Sequence, residues 1–249
     1  MNCKAAFIGY NEILEGIIIS LPVNERILYK SAACVVVNKL KGEAVESPGP
    51  GMVNLPKELK TALGANTQII EAVQRLDVPV TGCALFALSG KALSFLNAAF
   101  AAMPSPIKKI YWAVIEKPSR PLPESAELVH WIESNSDKNK SFAYNEEGRG
   151  RKKASLRYKL IGEGKNYLFL EIELLSGRHH QIRAQLAAQG LHIKGDLKYG
   201  AKRSEKTGGI RLHARSLSFP DPLNDSETIA VTADPPEMDN LWEAFLVKE

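Results

Sequence analysis

Cysteine is scarce in this chain and poorly placed for cross-linking. Cys3, Cys34 and Cys83 are odd in number and far apart, and they make neither a C-x-x-C pair nor a disulfide framework, so a reducing, cytoplasmic setting is expected. Long apolar runs are missing as well. The stretch from Gly16 to Pro22 is too short to span a bilayer, and Glu12 and Glu15 precede it where a secretory signal would carry positive charge. Neither a membrane partner nor a targeting segment is expected. There is no Walker A loop, no G-x-G-x-x-G and no H-E-x-x-H, so no cofactor and no metal are expected. Internal repeats, low-complexity tracts, a long linker and a coiled-coil stripe are absent too, and a monomer is the expectation.

What is present describes a globular protein. Of 249 residues, 45% are apolar and 24% charged, enough for a sizeable core. The net charge of +4 is small but unevenly spread. From Arg178 to Arg215 there are nine Lys/Arg against Asp196 and Glu205, a balance of +7. From Asp221 to Glu249 eight acids face Lys248 alone, a balance of −7. Arg149, Arg151, Lys152 and Lys153 form a second basic knot. Basic patches of this kind suit a phosphate backbone, where each neutralised phosphate releases counterions, although a solvated mixed-charge surface has the same composition.

Hydrophobic patterning predicts strands with scattered helices. Cys34–Lys39, Cys83–Leu88 and Lys108–Glu116 are β-rich apolar runs, and Ser155–Gly162 with Asn166–Leu174 reads as a hairpin. Arg211–Phe219 and Thr228–Thr232 are further strands. Ala92, Leu93, Leu96, Phe100 and Met103 recur at helical spacing before Pro104; a second helix is predicted from about Arg178 to Gln189, with Gly190 as its stop and Ile182 and Leu186 inward, and a third over Asp239–Val247. Strands without regular βαβ alternation imply an α+β fold with a mostly antiparallel mixed sheet and flanking helices.

Several short motifs carry little. Ser105-Pro-Ile-Lys108 and Lys206-Thr-Gly208 mimic two signatures of penicillin-binding serine enzymes, but prolines flank Ser105 and S-D-N is missing. His179, His180, His192 and His213 lack metal-ligand spacing and fit an RNA-facing surface or the core. The sequons at Asn139 and Asn224 mean little without a secretory signal.

A constellation remains. Arg75-Leu-Asp77 precedes a turn-like Val78-Pro-Val-Thr-Gly82 and then a strand, a setting in which a carboxylate faces a cleft from a rigid edge. Tyr111 lies in an alternating strand, and Gly177-Arg-His-His-Gln-Ile-Arg183 opens a helix. Singly, these read equally as a surface ion pair, a core aromatic and a helix-end charge. In this order they resemble the RluA-type pseudouridine synthase family, from about Ile27 onward. H-R-L-D-x-x-T/V-S/T-G is met by Gln74–Gly82, K-x-Y-x-A-x-V-E by Lys109–Glu116, T-G-R-x-H-Q-I-R-x-x-L by Ser176–Leu186, G-D-x-x-Y-G by Gly195–Gly200 and L-H-A-x-x-L-x-F by Leu212–Phe219. Gln74 stands where histidine is usual, and Leu40 where N-K-P-x-G has proline.

The resemblance implies residues 1–26 as an N-terminal extension, 27–249 as the catalytic domain and no S4-type domain. It implies an isomerase that converts uridines of ribosomal or transfer RNA to pseudouridine. Asp77 would be the catalytic carboxylate, Arg183 its orienting cation, and Tyr111 a stacking residue and proton acceptor. The target uridine must leave its stack, at about a few kcal/mol; Arg75 would fill the space, and Leu212 would wall the base. Arg178, His180, Gln181, Lys202, Arg203 and Lys206 would contact RNA. A non-catalytic RNA-binding relative is the alternative that Gln74 and Leu40 leave open, and an unrelated hydrolase with an acidic cleft is another.

Overall fold

The computed structural model describes residues 21–46, 49, 51–64 and 69–246, together with the backbone of 13–14 and 17–18. Ile27–Lys30 (β1) and Cys34–Lys39 (β2) form a hairpin. Every residue of β2 is buried, and successive side chains enter opposite cores: Val35 and Val37 join one cluster, Cys34 and Val36 the other. That is how a β-branched run behaves in a strand covered on both faces. Thr81–Ala87 (β3) repeats the pattern, with Ala84 and Phe86 on one side and Cys83 and Leu85 on the other.

Beyond them lie Lys108–Glu116 (β4), Ser125–Asn135 (β5), Lys140–Tyr144 (β6), Lys152–Glu163 (β7), Tyr167–Leu174 (β8), Leu212–Asp221 (β9) and Asn224–Thr232 (β10). The main sheet has 11 strands in the order β6-β5-β7-β8-β4-β9-β3-β2-β1, with β10 pairing β9 and the short Glu71–Ala72 strand pairing β3. Its pairings are antiparallel except at β9 and β3, where His213 pairs Thr81 and Ala214 pairs Gly82 in parallel. This is the α+β class with a mostly antiparallel sheet that the patterning implies.

Among the described residues, four helices cover the faces. Leu55–Leu63 (α1) is capped by the Asn54 side chain, which accepts from the Lys57 amide, and Gly90–Ala101 (α2) by Ser89, which accepts from Ala92. Gln181–Ala188 (α3) begins later than its periodicity suggests, because His180 takes a left-handed φ of 50° and the residues before it form a turn. Ile182 and Leu186 are buried, as expected. The terminal helix is short: Asp239 caps Asn240–Glu243 (α4) with bonds from Leu241 and Trp242, and 244–246 continue as turn. Val23–Arg26, ahead of the boundary at Ile27, is part of the packed unit, since Arg26 is buried against Glu43 at 2.7 Å. No helix among the described residues is long and apolar enough to cross a membrane.

Candidate active site

Asp77 sits on the turn that leads into β3, and the backbone of that turn is held from every side. The Asp77 carbonyl accepts from the Val80 amide at 3.0 Å, the Val78 carbonyl from Gly42 at 2.9 Å and the Pro79 carbonyl from Ile210 at 3.2 Å. Lys39, fully buried at the end of β2, donates its ammonium to the carbonyls of Leu40, Val78 and Val80 at 2.9, 3.1 and 2.7 Å. Each carbonyl from Asp77 to Val80 therefore has a donor, which fixes where the Asp77 side chain starts. Burial pulls the Lys39 ammonium down to about 7, against Glu43 and Asp77, which favour its charge. Leu40 leaves its amide hydrogen available, and that amide donates to Glu43 at 2.8 Å, a bond proline could not make. Gln74 donates to the Cys83 carbonyl at 3.0 Å, tying the approach of the turn to β3.

Two residues of α3 and its N-terminal turn meet the Asp77 carboxylate, which is about one-fifth exposed. Arg183 Nη1 donates to Asp77 Oδ2 at 3.0 Å, while Nε and Nη2 make a bidentate pair with buried Asp196 at 2.7 and 2.8 Å. One guanidinium is thus shared by two carboxylates, and its far side rests on the Tyr199 ring at 4.8 Å. Burial works against the Arg183 charge, but Asp196 and Asp77 outweigh it and the guanidinium is raised above its ordinary value. His180 Nε2 lies 3.7 Å from Asp77 Oδ2. The Ser141 amide donates to the Tyr199 hydroxyl oxygen at 2.8 Å, and that oxygen is 3.0 Å from His180 Nδ1. The arrangement that uses every donor has the phenol donate to Nδ1, leaving the imidazole hydrogen on Nε2, toward Asp77. Burial, then the neighbouring Arg183 and His179, lowers His180 to about 3, so it is neutral near pH 7.

Tyr111 and Leu212 come from adjoining strands. Tyr111 pairs with Ala214, and Leu212 with Ala113, which puts both side chains on the face that also carries Ile182 and Leu186. Burial, followed by the Asp77 charge, pushes the Tyr111 hydroxyl above the ordinary phenol range. The parallel junction of β3 and β9 admits only glycine at its tightest point: Gly82 has φ +110°, and a Cβ there would lie 2.3 Å from the Ala214 carbonyl oxygen. Beside it, His213 donates from Nε2 to the Ala233 carbonyl at 2.9 Å, so its Nδ1 accepts from the Thr81 hydroxyl at 2.7 Å. Burial lowers His213 to about 4.

The expected RNA contacts separate into two groups. Arg75, Arg178, Lys202, Arg203 and Lys206 are exposed. Gln181 is not at the surface: it is buried, accepts from the Ser176 hydroxyl and Arg178 amide, and donates to the Ser155 carbonyl and Gln185. The open first turn of α3 points its amide inward, where those partners wait. His180 is buried as well, facing Asp77 rather than bulk solvent. The sequence reading passed over Lys39, Asp196, Tyr199 and His179 as site residues. Asp196 and Tyr199 were visible in Gly195–Gly200 as motif letters without a task, and Lys39 in a segment noted only for its missing proline.

A family model described as RNA pseudouridylate synthase matches residues 33–188. An uncharacterized RNA pseudouridine synthase of Zymomonas mobilis is 28% identical over 199 residues, covering 78% of this chain and 87% of its own. The ribosomal large subunit pseudouridine synthase C of Vibrio parahaemolyticus is 27% identical over 205 residues, covering 80% of this chain and 62% of its own. Among solved structures, human RNA pseudouridylate synthase domain containing 4 superposes with a TM-score of 0.69 at 20% identity, over 90% of this chain and 92% of the other. Human RNA pseudouridylate synthase domain containing 1 gives 0.66 at 23% identity, over 84% and 83%. The structural likenesses bear on the fold, and the family match spans more than half of the chain together with the ordered motifs around Asp77. On these grounds the chain belongs to the RluA-type RNA pseudouridylate synthase family, which is a family of isomerases.

Proposed function

We propose that the chain isomerises specific uridines of a structured RNA, ribosomal or transfer RNA, to pseudouridine, with Asp77 as the reacting carboxylate. The observation that carries this reading is the Asp77 turn: a carboxylate on a backbone whose carbonyls are all engaged, met by Arg183 at 3.0 Å and bordered by buried Tyr111. In the reaction the N1–C1′ bond breaks, C5–C1′ forms, and the hydrogen leaving C5 is balanced by one gained at N1. No atom enters or leaves, which agrees with a site built around one reacting carboxylate, where glycoside hydrolysis usually takes two.

Arg183, donating to Asp77 Oδ2 at 3.0 Å, aims the carboxylate. Tyr111 supplies a flat wall for uracil, and because its hydroxyl stays protonated it acts as a relay: the oxygen receives the C5 hydrogen as it releases its own proton to water, which balances the one gained at N1. The uridine enters flipped from its stack, and the exposed guanidinium of Arg75 takes the vacated place. The exposed Arg178, Lys202, Arg203 and Lys206 hold phosphates around the opening.

The test is to incubate the protein with unmodified total RNA and map pseudouridine by carbodiimide-dependent reverse-transcription stops, beside Asp77→Asn. Discrete stops that vanish in the variant, with RNA binding kept, are expected. Equal modification by Asp77→Asn would end the mechanism, and binding without stops in the parent protein would favour a non-catalytic relative.

A further inference from the structure

Three aromatic rings step outward from the interior to the mouth of the site. Tyr199 is buried and lies under Arg183. His180, also buried, meets Tyr199 edge-on, with centroids 5.7 Å apart and planes at 78°. His179 is half-buried and stacks on His180 at 3.8 Å and 20°. No other aromatic ring among the described residues stacks on His179, so the series ends in a ring with solvent access.

One residue fixes both histidines. Ser141 in β6 holds His179 through its hydroxyl, 2.8 Å from Nδ1, and holds His180 indirectly through the amide bond to Tyr199. The outer ring is therefore oriented before anything binds, which lowers the ordering cost of a stacking contact. Arg75, Asp77 and Lys198 lie close enough to influence its charge, and burial keeps it mostly neutral at pH 7. A neutral, flat, fixed ring beside a carboxylate and two exposed cations matches a nucleobase whose own phosphates rest on those cations.

We propose that His179 is the outer step of a two-ring platform that stacks on the nucleobase adjoining the target uridine, and so makes the neighbouring base part of RNA choice. This rests on the RNA-modifying reading above, and it goes further by giving a task to a position at which the family motif accepts any residue.

The test uses RNA hairpins whose loop carries a single uridine, with the base on its 5′ or 3′ side present as adenine or removed to leave an abasic sugar. Binding is measured in the Asp77→Asn background, which holds the complex without turnover, with His179 intact, changed to Ala or changed to Phe. Base–aromatic stacking predicts about a tenfold or larger loss of affinity on His179→Ala when the neighbour is adenine, and little loss when that same neighbour is abasic. His179→Phe, which keeps the ring and drops the Ser141 bond, retains most of the adenine advantage. Equal losses on adenine and abasic hairpins would overturn the platform and leave the stacked pair as a brace for the turn; so would no loss at all. Turnover by the parent protein on the same hairpins and on total RNA is scored separately. Adenine-dependent binding without any pseudouridine would sink the isomerase reading and leave the platform standing.

Discussion

Arg183→Met tests the shared guanidinium most directly. The substitution keeps the unbranched stem of the side chain but strands Asp196, whose carboxylate is 1% exposed and whose side-chain hydrogen bonds among the described residues both come from Arg183. Removing one member of a buried pair costs roughly 3–5 kcal/mol, because the other charge stays buried without a partner. In a domain of this size each kcal/mol moves Tm by about 2–4 °C, so a fall of roughly 6–20 °C is expected. Two further measurements separate this cause from lost packing. The double variant Arg183→Met/Asp196→Asn removes the stranded charge and should recover more than half of the loss.

The deficit should also depend on pH. A carboxyl buried without its cation takes up a proton more readily folded than unfolded, so the variant gains stability as pH falls toward the unfolded value of about 4. Measured by calorimetry from pH 7.5 to 5, the gap between variant and parent should narrow. A double variant as unstable as the single one, together with a gap that does not change with pH, would refute the reasoning.

Lys39→Met removes the donor of three carbonyls around the Asp77 turn. A misplacement of about 1 Å costs up to about 10²-fold in rate, so steady-state kinetics should show kcat down at least about tenfold with KM little changed. His213 is lowered from 6.5 to about 4, so the unfolded chain binds more protons than the folded one between those values and stability falls as pH drops through that window, by up to roughly 3 kcal/mol. In urea titrations at pH 7 and 4.5, His213→Gln should lose less stability on acidification than the parent. Changing Lys202, Arg203 and Lys206 to Gln should weaken RNA binding and flatten the slope of log Kd against log salt by about 2; an unchanged slope would move the phosphate-binding surface elsewhere.

How much of this could be read from the residues depended on how local the cause was. The β4 strand was legible to the residue, because Lys108–Glu116 alternates within an apolar run and is closed by a charge. The β5 and β6 strands were not anticipated: their outer face carries Glu127, Glu133 and Lys140, and half-buried polar strands look like loop. Arg183 and Asp77 are 106 residues apart, and no spacing in the chain encodes their pairing; only the order of the family motifs does. Gln181 shows the limit plainly. The resemblance implies an RNA contact there, and nothing local reveals that a serine carbonyl, a serine hydroxyl and a backbone amide wait inside for its amide group. Lys39 is similar, since a lysine at a strand end is ordinarily solvated and becomes a buried clamp only when the turn at Val78–Val80 folds over it.

On the proposed function, sharing one guanidinium between Asp77 and Asp196 would also sort the parts of a nucleotide. Asp77 and Asp196 share one guanidinium, His180 is uncharged, and the Lys39 ammonium is turned onto backbone carbonyls, so the centre presents carboxylates, whereas Arg75, Arg178, Lys202, Arg203 and Lys206 stand exposed. A phosphate approaching the centre meets repulsion that grows as water is displaced, and at the exposed cations it meets attraction. The uncharged base feels neither barrier. The same potential that would draw an RNA strand to the surface would therefore hold its backbone there and admit only the nucleobase, a filter that acts before any hydrogen bond to uracil is formed.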